Sequence, residues 1–371
     1  MEHVKTSEAD GAAGHLRTAI TSLELGEPAT HRGLTVFPLT SGLTSSLRYM
    51  LLEEGLRRDL VTIREVSEGG SVPELAVENR AGRPVLIVDG EELVGAKQNR
   101  VANLTMLIPA KGTTIIPVSC VEAGRWSYSK RDFGVTNRVQ NARGRAEKLG
   151  SVRQALRYSG SRRSDQGQVW DSIAEEAAAL DAESPTGAMS EMFERHRDTL
   201  DDYAGLVEAA PDQVGAVFIV GGRRCGLDLF DQAATLAAFL PKLVRSYAID
   251  VLGGKARQDD NSTDADARAL IRQVLAGSFD DHPGVGLGRD VGVVGEGVVA
   301  GALVADDTVV HLTAFGETNR RRSGGRSRQR HAGYRQRREA LESRYRRYVG
   351  LSQPPPGHGP ESPPAGPASS G

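Results

Sequence analysis

Asp89, Glu91, Glu92, Lys97, Gln98, Asn99 and Arg100 fall within twelve consecutive residues, DGEELVGAKQNR. Carboxylates, an amine, amides and a guanidinium this close together can do acid–base chemistry or hold an anion. They can also bind a divalent metal through Asp89, Glu91 and Glu92. The segment is entered from Val85–Val88, which is entirely apolar. A buried strand that ends in carboxylates needs a partner for that charge. The next stretch offers one. Over residues 98–108, strand alternation puts Gln98, Arg100, Ala102, Leu104, Met106 and Ile108 on one face, and the last four are apolar. Arg100 therefore starts on the core side, either paired with Asp89, Glu91 or Glu92 or aimed at an anionic ligand.

The following strand signal, TTIIPVSCVEAGRW, delivers Glu122, Arg125 and Trp126 just past its end. If these strands are neighbours, the polar groups converge. Asp89, Glu91, Glu92 and Glu122 are then the candidate catalytic carboxylates. Lys97, Gln98, Asn99, Arg100, Arg125 and Trp126 are the candidate ligand contacts, with phosphate on the cations and a base stacked on the indole. The competing account is an ion-pair network that only fixes the sheet. Neither account names a cofactor.

Familiar motifs are missing or out of context. There is no GxxxxGK[ST] and no HExxH, and the histidines do not cluster. Gly295-Glu296-Gly297-Val298-Val299-Ala300 fits a loose dinucleotide fingerprint. That chemistry needs a helix N-terminus next, whereas GALVADDTVVHL reads as strands, so a glycine-containing hairpin is expected. Cys120 ends an apolar strand and reads as a small buried hydrophobe. His196 lies on an apolar helical stripe, and His311 lies in the last strand.

PVLIVDGEELVGAKQNR, IIPVSCVEAGRW, DQGQVW and GGRRCGLDLFD together resemble the ADP-ribosylglycohydrolase and rhodanese-phosphatase associated protein domain family. The resemblance covers most of residues 30–316, and all ten candidate site residues match the family's polar motifs. It implies a role near NAD or ADP-ribose metabolism, with a nucleotide-derived small molecule as candidate ligand. It brings no assigned catalytic residues with it.

The elements that must position these residues are β-rich first. LTVFPL from Leu34, VTIREV, ELAVEN, PVLIVDG, residues 98–108 and TTIIPVSCV read as strands separated by short turns. Residues 45–58 have helical spacing. The middle is helical, with Trp170, Ile173, Ala177 and Leu180 on one stripe and Met189, Met192, Phe193, Leu200 and Tyr203 on another. GAVFIVGGRRCGLDLF turns at Gly221-Gly222, Asp231 is placed to cap the next helix, and Pro241 predicts a kink or break in it. Residues 285–316 read as a meander turning at Asp306-Asp307. The expected fold is α+β: an antiparallel β-sandwich-like core, a helical middle segment and a disordered arginine- and proline-rich tail. The expected division is a weakly ordered 1–30, a β-rich 31–135, a completing 136–316 and a tail from 317 to 371.

Charge separates the tail from the body. Residues 317–349 hold twelve arginines against Glu317, Glu339 and Glu342, a net +9. With −1 from residues 350–371 and −2 for the whole chain, the other 316 residues carry −10. An acidic body is a poor nucleic-acid binder, so any acidic partner or RNA is expected at residues 317–349. Seven of the seventeen prolines fall after Gly350, a composition that cannot form a core. No run of eighteen apolar residues and no leader-like N-terminus are present. Cys120 and Cys225 make no CxxC pair, and a cytoplasmic protein with no membrane partner is expected.

Overall fold

A computed structural model describes residues 11–67, 73–254 and 262–317. The expectations for the N-terminal ten residues, the basic stretch from 318 and the proline-rich end lie outside the described residues. Within them are eight helices and eighteen strands, arranged as an α+β fold with mainly antiparallel sheets.

The largest sheet has nine strands. Leu34–Ser41 pairs with Gln213–Val220, which forms a hairpin with Arg224–Phe230, so the first long strand sits among strands far away in sequence. Thr308–Glu317, Val298–Ala305, Arg289–Gly295 and Ser278–Pro283 continue the sheet on the other side. Alternation is apolar on both faces. Val36, Ala216, Phe218 and Leu303 face one core, with helices Ala142–Ser159 and Ala233–Gly253. Phe37, Val217, Ile219 and Ala302 face a second core, with Ala12–Thr21 and Asp264–Ala276. A sheet covered by helices on both sides reads as continuous hydrophobic runs, which explains strands such as GAVFIV. The expected turns at Gly221-Gly222 and Asp306-Asp307 are present, all four residues at positive φ. Gly295 to Val298 is a hairpin between paired strands, with no helix after it.

The second sheet has six strands in the order Phe133–Val139, Glu91–Gly95, Arg100–Ala102, Gly112–Cys120, Glu74–Asn79 and Val61–Glu65. It is curled enough for its outer strands to meet, where Arg64 Nε lies 2.9 Å from Asp132 Oδ1. Its concave side is apolar for most of its length, with Ile63, Leu75, Val77, Leu93, Ala102, Ile116 and Val118 in one core. A three-stranded sheet, Met106–Ile108, Val85–Ile87 and Met50–Leu51, lies beside it.

Three local expectations are corrected. Residues 98–108 do not form one strand: the chain breaks at Asn103–Thr105 and the two halves join different sheets. Both of its faces are buried, so alternation carried no register beyond Ala102. Asp231 does not cap the long helix. It accepts hydrogen bonds from Ser45 Oγ at 2.7 Å and Tyr49 OH at 2.6 Å, and Gln232 holds the cap position. That helix also runs through Pro241 unbroken. Among the described residues no helix is long and apolar enough to cross a membrane.

Candidate functional site

The polar segment forms a tight structure of its own. Glu91–Gly95 and Arg100–Ala102 are antiparallel neighbours, joined by a loop that needs unusual backbone. Gly95 has φ +138°, and a Cβ there would lie 2.5 Å from the Asp132 carbonyl oxygen. Ala96 holds φ +37°, which few non-glycine residues adopt. This loop is stapled to the loop after Cys120. Arg125 Nη1 donates to the Ala96 carbonyl at 2.8 Å, and its Nη2 donates to Asn99 Oδ1 at 3.0 Å. Glu122 Oε2 accepts from Arg125 Nε at 2.8 Å and from the Asn99 N–H at 3.2 Å. Gln98 Nε2 donates to the Glu122 carbonyl at 3.2 Å. Gln98, Asn99, Glu122 and Arg125 are thus brought together as the strand order requires.

Arg100 stands at the centre of this group, fully buried on the concave side. It is directly opposite Leu93 on one neighbouring strand and Cys120 on the other. Its Nη1 donates to Gln98 Oε1 at 3.0 Å. Its Nε and Nη2 make no hydrogen bond, although Nη2 lies 3.9 Å from Glu65 Oε1. Both oxygens of Glu65 are equally without donors. The Trp126 ring lies 5.8 Å from the Arg100 guanidinium and 5.2 Å from Lys97 Nζ. Lys97 also lies 5.4 Å from the exposed ring of Tyr128. Cations over indole and phenol faces gain from the ring quadrupole. Burial pushes the Cys120 thiol up despite the pull of Arg100, so it stays protonated at neutral pH.

The other three carboxylates turn elsewhere. Glu92 Oε2 accepts from Arg138 Nε at 2.7 Å and Thr136 Oγ1 at 2.8 Å. Glu91 accepts from the Val88 N–H at 3.3 Å and lies 3.9 Å from Lys242 Nζ. Burial outweighs Lys242 and raises this carboxyl above its ordinary range. Asp89 belongs to a buried clasp. Its Oδ2 accepts from Arg145 Nε at 3.0 Å and its Oδ1 from Lys148 Nζ at 2.8 Å. Arg145 continues to Asp228, with Nη2 2.6 Å and Nη1 3.2 Å from its oxygens, and to Thr313 Oγ1 at 3.0 Å. Tyr247 OH donates to Asp228 at 3.2 Å, and His311 Nε2 lies 3.4 Å from it. Burial pushes Asp228 up, but the Arg145 guanidinium more than offsets this and holds the carboxyl well below the usual range. Burial likewise lowers the Lys148 ammonium against the pull of Asp89. The clasp ties the polar segment to helix Ala142–Ser159 and to the nine-stranded sheet.

Arg145, Lys148 and Glu65 have no place in the sequence-based expectations. A signal for the first two was present: in ARGRAEKLGSVRQALRYS they share a helical stripe with Leu149, Val152 and Leu156, so cations interrupt an apolar face. Glu65 ends an alternating strand, and only the closing of the curled sheet reveals its partner.

Among the described residues, no group of three or more His, Cys, Asp and Glu side chains is placed to hold a metal ion. No curated protein and no solved structure matches the chain. Over residues 22–315, which hold every residue of the polar loop and the clasp, the sequence matches the family model described as the ARG and Rhodanese-Phosphatase-superfamily-associated Protein domain, and the protein belongs to that family.

Proposed function

We propose that the protein binds an anionic, nucleotide-derived small molecule such as ADP-ribose where the curled sheet is capped by Trp126. The observation that carries this is Arg100: a fully buried guanidinium whose Nε and Nη2 have no acceptor. Buried donors of a charged group are costly to leave unmade, about 1–3 kcal/mol or more each, and a phosphate oxygen is a natural acceptor for them. Lys97 adds a second cation, and Trp126 offers a face for a base. Gln98, Asn99, Arg125 and Glu122 hold the loop in shape. Asp89, Glu91 and Glu92 hold the frame through Arg145 with Lys148, Lys242 and Arg138. The family's association with ADP-ribose-removing enzymes points to the same ligand class.

Thermal unfolding with ADP-ribose, NAD and uncharged adenosine tests this. Ligand at a hundred times its Kd stabilises by about 2.7 kcal/mol, which is about 4 °C for a chain of this size. ADP-ribose or NAD should give such a shift, adenosine far less, and Trp126→Ala should lose most of it. No shift with any anionic nucleotide, or an unchanged response in Trp126→Ala, contradicts the proposal. One observation favours a second, non-enzymatic account. Asp89, Glu92 and Glu122 each already hold a cationic partner, as a scaffold or partner-binding module would need. In that case the arginine-rich residues after 317 recruit an acidic partner or RNA, and binding disappears when they are deleted.

A further inference from the structure

Away from the polar loop, the face of the nine-stranded sheet opens into a cavity of about 440 Å³. This lies within the range of small-molecule sites, roughly 300–1,000 Å³. Ala142 and Ala146 of one helix, Val220 and Val299 of the sheet, and Phe315 give it apolar walls. Its charged groups are Arg143, Glu147, Arg224 and Asp250. Their charges do not balance once the groups just behind them are included.

Arg143 is already occupied. Its Nε lies 3.0 Å from Glu147, its Nη2 2.6 Å from Glu175 and its Nη1 3.6 Å from Glu176. Asp250 accepts from Asn141 Nδ2 and from the Arg143 N–H, each at 2.7 Å, and both donors are neutral. Arg224 is exposed and makes no ion pair with another described residue. Among the described residues, Glu147, Glu175, Glu176 and Asp250 therefore surround two arginines, leaving two negative charges in excess. Burial, and then the neighbouring Asp250, push Glu176 up to about 7, and burial raises Asp250 as well. The excess of carboxylates and their burial both favour a proton shared within the cluster.

We propose that this cavity is a separate ligand site for a small organic cation: an ammonium group on an apolar body of aromatic size. The ammonium lies against Asp250 and Glu147, and the body fills the space between Ala146, Val299 and Phe315. Binding replaces the proton held by Glu176 and Asp250 with the charge of the ligand. The charged groups facing Glu176 are Arg143 and Glu147 from one helix, Glu175 from its own, Asp250 from the long helix and Arg224 from the sheet.

The experiment is calorimetric titration of the full chain with tryptamine and with indole-3-propionate, which pair similar apolar bodies with opposite charges. Tryptamine should bind at least about tenfold more tightly than the acid, which is about 1.4 kcal/mol. It should release protons near pH 7 and bind more tightly at about pH 8 than at about pH 6, since an alkylammonium stays charged throughout. Ala146→Phe, which fills the space from a half-buried helix position, should abolish binding. Glu176→Gln should remove the proton release. Equal or tighter binding of the acid, no binding of tryptamine, or unchanged binding by Ala146→Phe overturns the proposal. Nucleotide binding at Arg100 and Trp126 is read independently by thermal shift.

Discussion

Replacing Asp228 with Asn tests whether the buried clasp holds the polar segment to the rest of the fold. The change keeps shape and one acceptor oxygen but removes a charge. In the wild type, Arg145 and Lys148 face Asp89 and Asp228, two cations against two carboxylates, all fully or almost fully buried. Without the Asp228 charge, Arg145 and Lys148 share Asp89 alone. Breaking a buried pair from one side costs about 3–5 kcal/mol, because the surviving charge stays desolvated. At about 1.5 °C per kcal/mol for a chain of this length, that is a fall in Tm of about 4–8 °C. Urea unfolding followed by circular dichroism measures it. The double variant Asp228→Leu with Arg145→Met removes both charges and should recover a large part of the loss. The pH dependence has a fixed sign. A carboxyl held below its unfolded value of about 3.9 contributes stability that is present above that pH and lost as the pH falls through the folded value. Wild type should therefore lose stability more steeply than Asp228→Asn below about pH 4. A cost under about 1 kcal/mol for Asp228→Asn, or a double variant as unstable as the two single losses added, refutes the reasoning.

Other perturbations follow from the same geometry. Glu176 has a folded pKa raised to about 7 from 4.5, so its contribution is full below 4.5 and lost as pH rises through 7. Glu176→Gln should flatten the stability profile between those values and melt higher than wild type at about pH 8. Gly95→Ala meets the Asp132 carbonyl and a backbone conformation at φ +138°, so it should cost about 1–3 kcal/mol in urea unfolding. Arg138→Ala strands the buried Glu92 carboxylate and should cost about 3–5 kcal/mol, whereas Arg138→Ala with Glu92→Gln should cost less.

How far the sequence foretold this structure depends on whether the determining contacts are local. A strand such as ELAVEN was legible because one face packs and the other does not, and Asp306-Asp307 marked its turn directly. Arg100 is buried as expected, but Val101 on the opposite face is buried too, so alternation alone did not single it out. Its neighbours could not be read in the same way. Glu65 meets it only because a sheet of six strands closes on itself, and nothing near residue 65 encodes that closure. Asp89 was expected to find its counter-charge on an adjacent strand. It finds Arg145 and Lys148, some sixty residues on, from helix Ala142–Ser159. The pairing of Leu34–Ser41 with Gln213–Val220 was equally hidden, since two buried faces leave no alternation to fix a partner.

The fluorescence of Trp126 tests the proposed ligand site most directly. The chain has two tryptophans, so Trp170→Phe leaves Trp126 as the single reporter beside Arg100 and Lys97. Titration of that variant with ADP-ribose should give a saturable change in emission. The change should disappear in Lys97→Ala and weaken as salt is added, because phosphate contacts are screened. Emission that does not respond to ADP-ribose, or that responds equally to adenosine at the same concentration, contradicts an anionic nucleotide site at Arg100 and Trp126.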